Sequence, residues 1–167
     1  KGQPMRAFVL QGRAPQIVFA VSTKTMPNYK TVADLKGKKI GVSAPASSTN
    51  IMANFVLAKA GLKPSDVSFV GVGAAQGAVA ALRAGQIDAI SNLDPVITML
   101  MRSNDIQIIS DTRDVAEADK VFGGPMPAGT LYAPVSFINK NPNTVQALTN
   151  AILRANKWIQ EAGPSDI

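Results

Sequence analysis

The chain has 167 residues, a formal charge of +6 from 17 basic and 11 acidic residues, and neither cysteine nor histidine. That composition excludes thiol nucleophiles, the usual zinc sites, Ser-His-Asp triads and imidazole general bases, and the length suits one domain or one lobe of a larger protein. The basic residues are dispersed except for Lys36, Lys38 and Lys39; with no aromatic neighbours, these read as a solvated turn rather than a nucleic-acid footprint. No apolar run reaches membrane-spanning length, so no membrane insertion is expected.

In chain order, Ala7–Leu10 and Ile17–Val21 are short runs rich in Val, Ile and Phe, read as strands joined by turn chemistry at residues 11–15. Thr31–Leu35 reads as a helical turn and Lys39–Val42 as a strand. A helix is expected over Asn50–Ala60, with Ile51, Met52, Phe55 and Val56 on one face and Gly61 as its stop. Strands at Val67–Val70, Ile87–Ile90 and Ile106–Ile109 alternate with helices at Gly77–Ala84 and Pro95–Arg102. The polar stretch Asp111–Lys120 is ambiguous, and Gly123–Gly129 reads as a loop. Thr130–Ala133 and Val135–Asn139 read as one strand interrupted by Pro134. A long helix after Pro142 carries its apolar face on Val145, Leu148, Ile152, Ala155 and Ile159, and Gly163-Pro164 reads as a turn. The alternation implies βαβ units: an α/β fold with a mixed, mostly parallel sheet and helices on both faces. The first residue is not Met and a strand begins within ten residues, so a piece of a longer protein is expected.

In open α/β sheets, ligands bind beyond the carboxyl ends of strands where strand order reverses. Three loops qualify: residues 43–49, 71–76 and 91–94. The first, "SAPASST", leads into a helix whose unpaired N–H groups suit phosphate, sulfonate or carboxylate. Ser47, Ser48 and Thr49 add hydroxyls. Either Ser48 or Thr49 is expected to cap the helix, which leaves at least one hydroxyl for a ligand. This is not a phosphate loop of the G-K-[ST] kind. In the third loop Asp94 before Pro95 reads as a helix cap, whereas Asn92 either meets a ligand or closes a turn. Gln76 reads as a solvent-facing helix start and Tyr132 as core packing, with an aromatic wall as its other possible role. Asp111, Asp114, Glu117 and Asp119 read as a solvated face, and no paired carboxylates suited to acid–base work are evident.

The ordered set "TVADLKGKKIGVSAPASSTN", "AGLKPSDVSFVGVG", "AVAALRAGQIDAI", "NLDP" and "NKNPNTVQALTNAILRANKWI" resembles the nitrate/sulfonate/taurine group of periplasmic solute-binding proteins of ABC transporters, over nearly the whole chain. The resemblance implies a periplasmic-binding-protein type II lobe, one half of a clamshell that traps a small molecule. It implies residues 1–23 as the end of a first lobe and a hinge strand, 24–128 as the second α/β lobe, and 129–167 as the return hinge strand and a helix leading back. It places ligand contacts on Ser47, Ser48, Thr49, Asn50, Asn92 and Asp94. It also implies a periplasmic location, a membrane permease as partner, no cofactor, no nucleic acid and no catalysis. The chain departs from this pattern at Ala46, where relatives often carry Gly, and at Asn50, where they often carry His. An enzyme branch that consumes its own histidine is not matched by a chain without one. The rivals are an effector domain of a transcriptional regulator and a dehydratase-like enzyme on the same scaffold.

Overall fold

The computed structural model describes residues 2–163, 165 and 166. Residues 14–126 form one compact unit, and residues 1–13 with 127–167 form another. The turn expected at Gly163-Pro164 includes Pro164, which lies outside the described residues.

The larger unit is a five-stranded sheet in the order β4-β3-β5-β2-β6. Its strands are β2 (Val18–Ser22), β3 (Lys39–Val42), β4 (Ser68–Gly71), β5 (Ala89–Asn92) and β6 (Ile106–Asp111). Strand β3 is parallel to both β4 and β5, whereas β2 is antiparallel to β5 and β6. Four strands therefore run one way and only β2 runs the other. The reason is local: a helix returns the chain between β3 and β4 and between β4 and β5, as parallel pairing requires. No crossover helix follows β2. That strand, expected to start one residue earlier, lies in the interior of the sheet, and all five of its residues are buried.

Alternate residues of each strand feed two cores. Phe19, Val21, Ile40, Val42 and Ala89 pack against Met52, Val56 and Leu57 of α1 (Ser48–Lys59) and Val121 of α4 (Val115–Phe122). Val18, Ala20 and Ile90 pack against α2 (Gln76–Ala84) and α3 (Val96–Arg102) on the opposite face. Each fully buried Leu, Ile or Phe contributes about 1.5–3 kcal/mol. At Gly41 β3 comes close to Ile87: a Cβ there would lie 2.4 Å from Ile87 Cδ1, so that side chain would have to shift. Thr31–Leu35, expected as a helical turn, is a 3₁₀ turn over Val32–Leu35 with Leu35 buried. The ambiguous polar stretch becomes α4, capped by Asp114, whose side chain accepts from Glu117 N at 2.9 Å.

In the smaller unit β1 (Met5–Gly12) pairs antiparallel with β7 (Ala128–Pro134). The strand expected to resume at Val135 is instead helix α5 (Val135–Lys140). Pro134 ends the ladder opposite Met5, and the alternation of Val135, Phe137 and Asn139 is too short to separate period 2 from period 3.6. Helix α6 (Pro142–Glu161) covers Val145, Thr149, Ile152 and Asn156 only in part. Leu148 and Ile159, expected on its buried face, are 42% and 52% exposed. No described helix is long and apolar enough to cross a membrane.

Candidate functional site

Strands β3 and β5 are parallel neighbours whose chains leave toward opposite faces, β3 into α1 and β5 into α3. The reversal rule points to the loops that leave their carboxyl ends, residues 43–47 and 93–95.

The β3–α1 loop is built by side chains bonding their own backbone. Ala46 sits at φ +62, a left-handed conformation that favours glycine. It turns the chain so that Ser47 caps α1, accepting from Asn50 N at 3.4 Å. The helix therefore starts two residues earlier than expected, and neither Ser48 nor Thr49 is its cap. Ser43 Oγ donates to Ser47 Oγ at 3.1 Å, Ser47 and Thr49 hydroxyls lie 2.8 Å apart, and Thr49 and Ser43 hydroxyls 2.9 Å apart. Thr49, fully buried, also accepts from Ser43 N at 3.0 Å. Each hydroxyl owns one proton, so a closed ring of three uses all of them and offers no donor outward.

Other donors at this helix end are free. The N–H groups of Ser48 and Thr49, the first two of α1, have no partner among the described residues, as expected of a helix start. Ser48 is exposed, and its hydroxyl is in no hydrogen bond among the described residues. Asn50, 9% exposed, accepts from Ala46 N at 2.9 Å through Oδ1, but its buried Nδ2 has no partner. Leaving such a group unmet costs roughly 1–3 kcal/mol.

The β5–α3 loop is largely committed. Ser91 donates to the Thr49 carbonyl at 2.7 Å and ties β5 to α1. Asn92, fully buried, donates to the Gly73 carbonyl at 2.9 Å and accepts from Leu93 N at 2.9 Å, so it closes a turn. Asp94 accepts from Thr98 N at 3.0 Å, from Thr98 Oγ1 at 2.6 Å and from Arg113 Nη1 at 3.2 Å. Burial alone would raise its pKa, but the Thr98 and Arg113 hydrogen bonds together outweigh burial and hold the carboxyl below its ordinary value. Arg113 also forks onto Asp111, with Nη2 2.6 Å from Oδ2 and Nε 2.9 Å from Oδ1. These bonds lower the Asp111 pKa and raise that of the guanidinium.

The expected site thus divides. Ser48 presents its N–H and hydroxyl at the surface, the Thr49 N–H and Asn50 Nδ2 are unmet but buried, Ser47 and Thr49 brace the loop, and Asn92 and Asp94 are bonded within the protein. Sequence reasoning missed Ser43, Ser91 and Arg113. Arg113 was legible only as a cation between Asp111 and Asp114, in a stretch read as solvated. Gln76 is exposed at the start of α2, as expected, and Tyr132 is 65% exposed rather than packed in a core.

A model of the NMT1-like family matches residues 9–166. Among solved structures, a protein of Bordetella bronchiseptica RB50 is 66% identical with a TM-score of 0.91, covering 99% of this chain and 52% of its own. The periplasmic aliphatic sulphonate binding protein SsuA of Escherichia coli is 23% identical with a TM-score of 0.70, covering 96% of this chain and 51% of its own. The periplasmic nitrate-binding protein NrtA of Synechocystis PCC 6803 is 16% identical with a TM-score of 0.72, covering 95% and 41%. The last two share the fold. No curated protein sequence matches. The chain spans about half the length of the solved relatives.

Proposed function

The chain belongs to the NMT1-like family, and from that premise we propose that it is the helix-start lobe of a periplasmic solute-binding protein. The protein captures a small anionic or polar solute rich in acceptor oxygens and delivers it to the permease of an ABC importer. The observation that carries this reading is the unmet donor set at the start of α1: the N–H groups of Ser48 and Thr49, the Ser48 hydroxyl and Asn50 Nδ2. The names of the two structures sharing the fold, a sulphonate binder and a nitrate binder, agree with an oxygen-rich ligand.

Magnitudes require a second wall. Micromolar affinity corresponds to about −8 kcal/mol, and one helix N-terminus supplies only about 0.3–2 kcal/mol of it. The remainder comes from closure on the ligand, which stabilises the closed state by its differential affinity for closed over open. In this mechanism Ser47, Thr49 and Ser91 hold the donors in place, and Asn92 and Asp94 keep the rim of the crevice rigid.

The test is calorimetric titration of the full-length protein with nitrate and short alkanesulfonates. One of them binds, and Asn50→Ala weakens it about 5- to 30-fold, the equivalent of about 1–2 kcal/mol. Binding that is indifferent to Asn50→Ala, or a ligand that is chemically consumed over time, overturns the proposal. In the second case an enzyme takes its place.

A further inference from the structure

The α1/α4 face of the sheet carries an open pocket of about 330 Å³ that shares no residue with the helix-start site. Its walls are Val32, Val56, Ala60, Ile109 and Val121. Two cations stand at its edge, Lys59 and Lys120. Lys120 pairs with Glu117, whereas Lys59 donates to the Lys120 carbonyl and has no carboxylate partner among the described residues. Lys59 therefore carries the unbalanced charge.

The pocket floor contains a bulge. Phe19 pairs with Ser110 and Ala20 with Ile108, so Ile109 is an extra residue in β6. A bulge re-aims side chains, and here both Ile109 and Ser110 line the pocket. Ser110 is 7% exposed and its hydroxyl has no hydrogen-bond partner. A buried hydroxyl without a partner is uncommon and calls for an explanation. Apolar walls, a few placed polar groups and a volume near 300 Å³ are the features of a small-molecule site.

We propose that this pocket binds a small carboxylate with an apolar body and one hydrogen-bonding group at the end away from the carboxylate. The carboxylate meets Lys59 at the rim, the body lies against Val56, Ile109 and Val121, and the distal group meets the Ser110 hydroxyl. This inference does not depend on the helix-start reading, and the two fail separately.

The probe is 4-hydroxybenzoate, with benzoate and 4-hydroxybenzamide as comparators, titrated into the full-length protein by calorimetry and ligand-observed NMR. 4-Hydroxybenzoate binds in the millimolar range or tighter, and benzoate binds several-fold more weakly. 4-Hydroxybenzamide, which lacks the negative charge, binds at least fivefold more weakly. Ser110→Ala removes the difference between 4-hydroxybenzoate and benzoate, and without ligand its melting temperature is equal or higher, since an unmet hydroxyl is gone. Lys59→Gln weakens both acids at least fivefold, and Asn50→Ala changes neither. No binding, binding indifferent to Ser110→Ala and Lys59→Gln, or binding abolished by Asn50→Ala overturns the proposal. In the last case the compound occupies the helix start instead.

Discussion

Replacing Arg113 with glutamine removes the cation that two carboxylates share. The Arg113 and Asp111 side chains are 26% and 25% exposed and joined by a fork of charge-assisted bonds, the class that contributes about 1.5–3 kcal/mol. The Asp94 side chain is 46% exposed, so its arm is screened and adds at most about 0.5 kcal/mol. A loss of about 2 kcal/mol at pH 7 follows, or roughly 4–8 °C in melting temperature for a chain of this size. The pH dependence carries the sharper test. Both carboxyls have folded-state pKa values below their ordinary ones, so their contribution is present above the unfolded value near 3.9 and is lost as pH falls through the folded values. Urea titrations of wild type and Arg113→Gln should differ fully above about pH 5 and by progressively less as pH falls below the unfolded value near 3.9. Arg113→Lys, which keeps the charge but not the fork, should recover only part of the loss. A difference that is as large at pH 3 as at pH 7 would refute the electrostatic account and leave packing as the cause.

Ser47→Ala removes the cap of α1 and opens the hydroxyl ring, and urea unfolding should show a loss of about 1–3 kcal/mol. Ala46→Gly relieves the left-handed strain at φ +62 and should stabilise by about 0.5–1 kcal/mol in the same assay, after the entropy glycine adds to the unfolded chain. Gly41→Ala sets a Cβ 2.4 Å from Ile87 Cδ1. Ile87 is fully buried and must leave its rotamer, so thermal melts should report a loss of about 1–3 kcal/mol.

Period and punctuation were enough to read the alternation from Lys39 to Arg102 in the sequence, because each strand there is followed by a helix long enough to carry its own pattern. One strand-level reading failed. Val135–Lys140 is a single turn and a half, and in so short a run composition says apolar but does not separate strand from helix. At the candidate site, the switch-point rule pointed to both loops. It did not assign roles within them, because hydroxyls and amides bond their own backbone as readily as a ligand. Ala46 decided the outcome: its left-handed turn moved the cap to Ser47, and Ser48 became the free hydroxyl. Arg113 was invisible as a partner of Asp94 because the two meet only across β2, a pairing fixed by strand order.

A net charge of +6 favours anions in general, but the groups near these two loops do not support a charge-based account. Asp94 and Asp111 share one arginine, which leaves that side of the rim with one net negative charge. The donors at the start of α1 are all formally neutral. At physiological ionic strength exposed charges are screened beyond about 8 Å, so dispersed lysines raise encounter rates more than they hold a ligand. On the proposed reading, selection at this site rests on counting acceptors: the exposed Ser48 carries an unmet N–H and an unmet hydroxyl, and one oxygen-rich group can take both hydrogen bonds. A nitrate, a sulfonate or a carboxylate can do this with oxygens fixed on one atom.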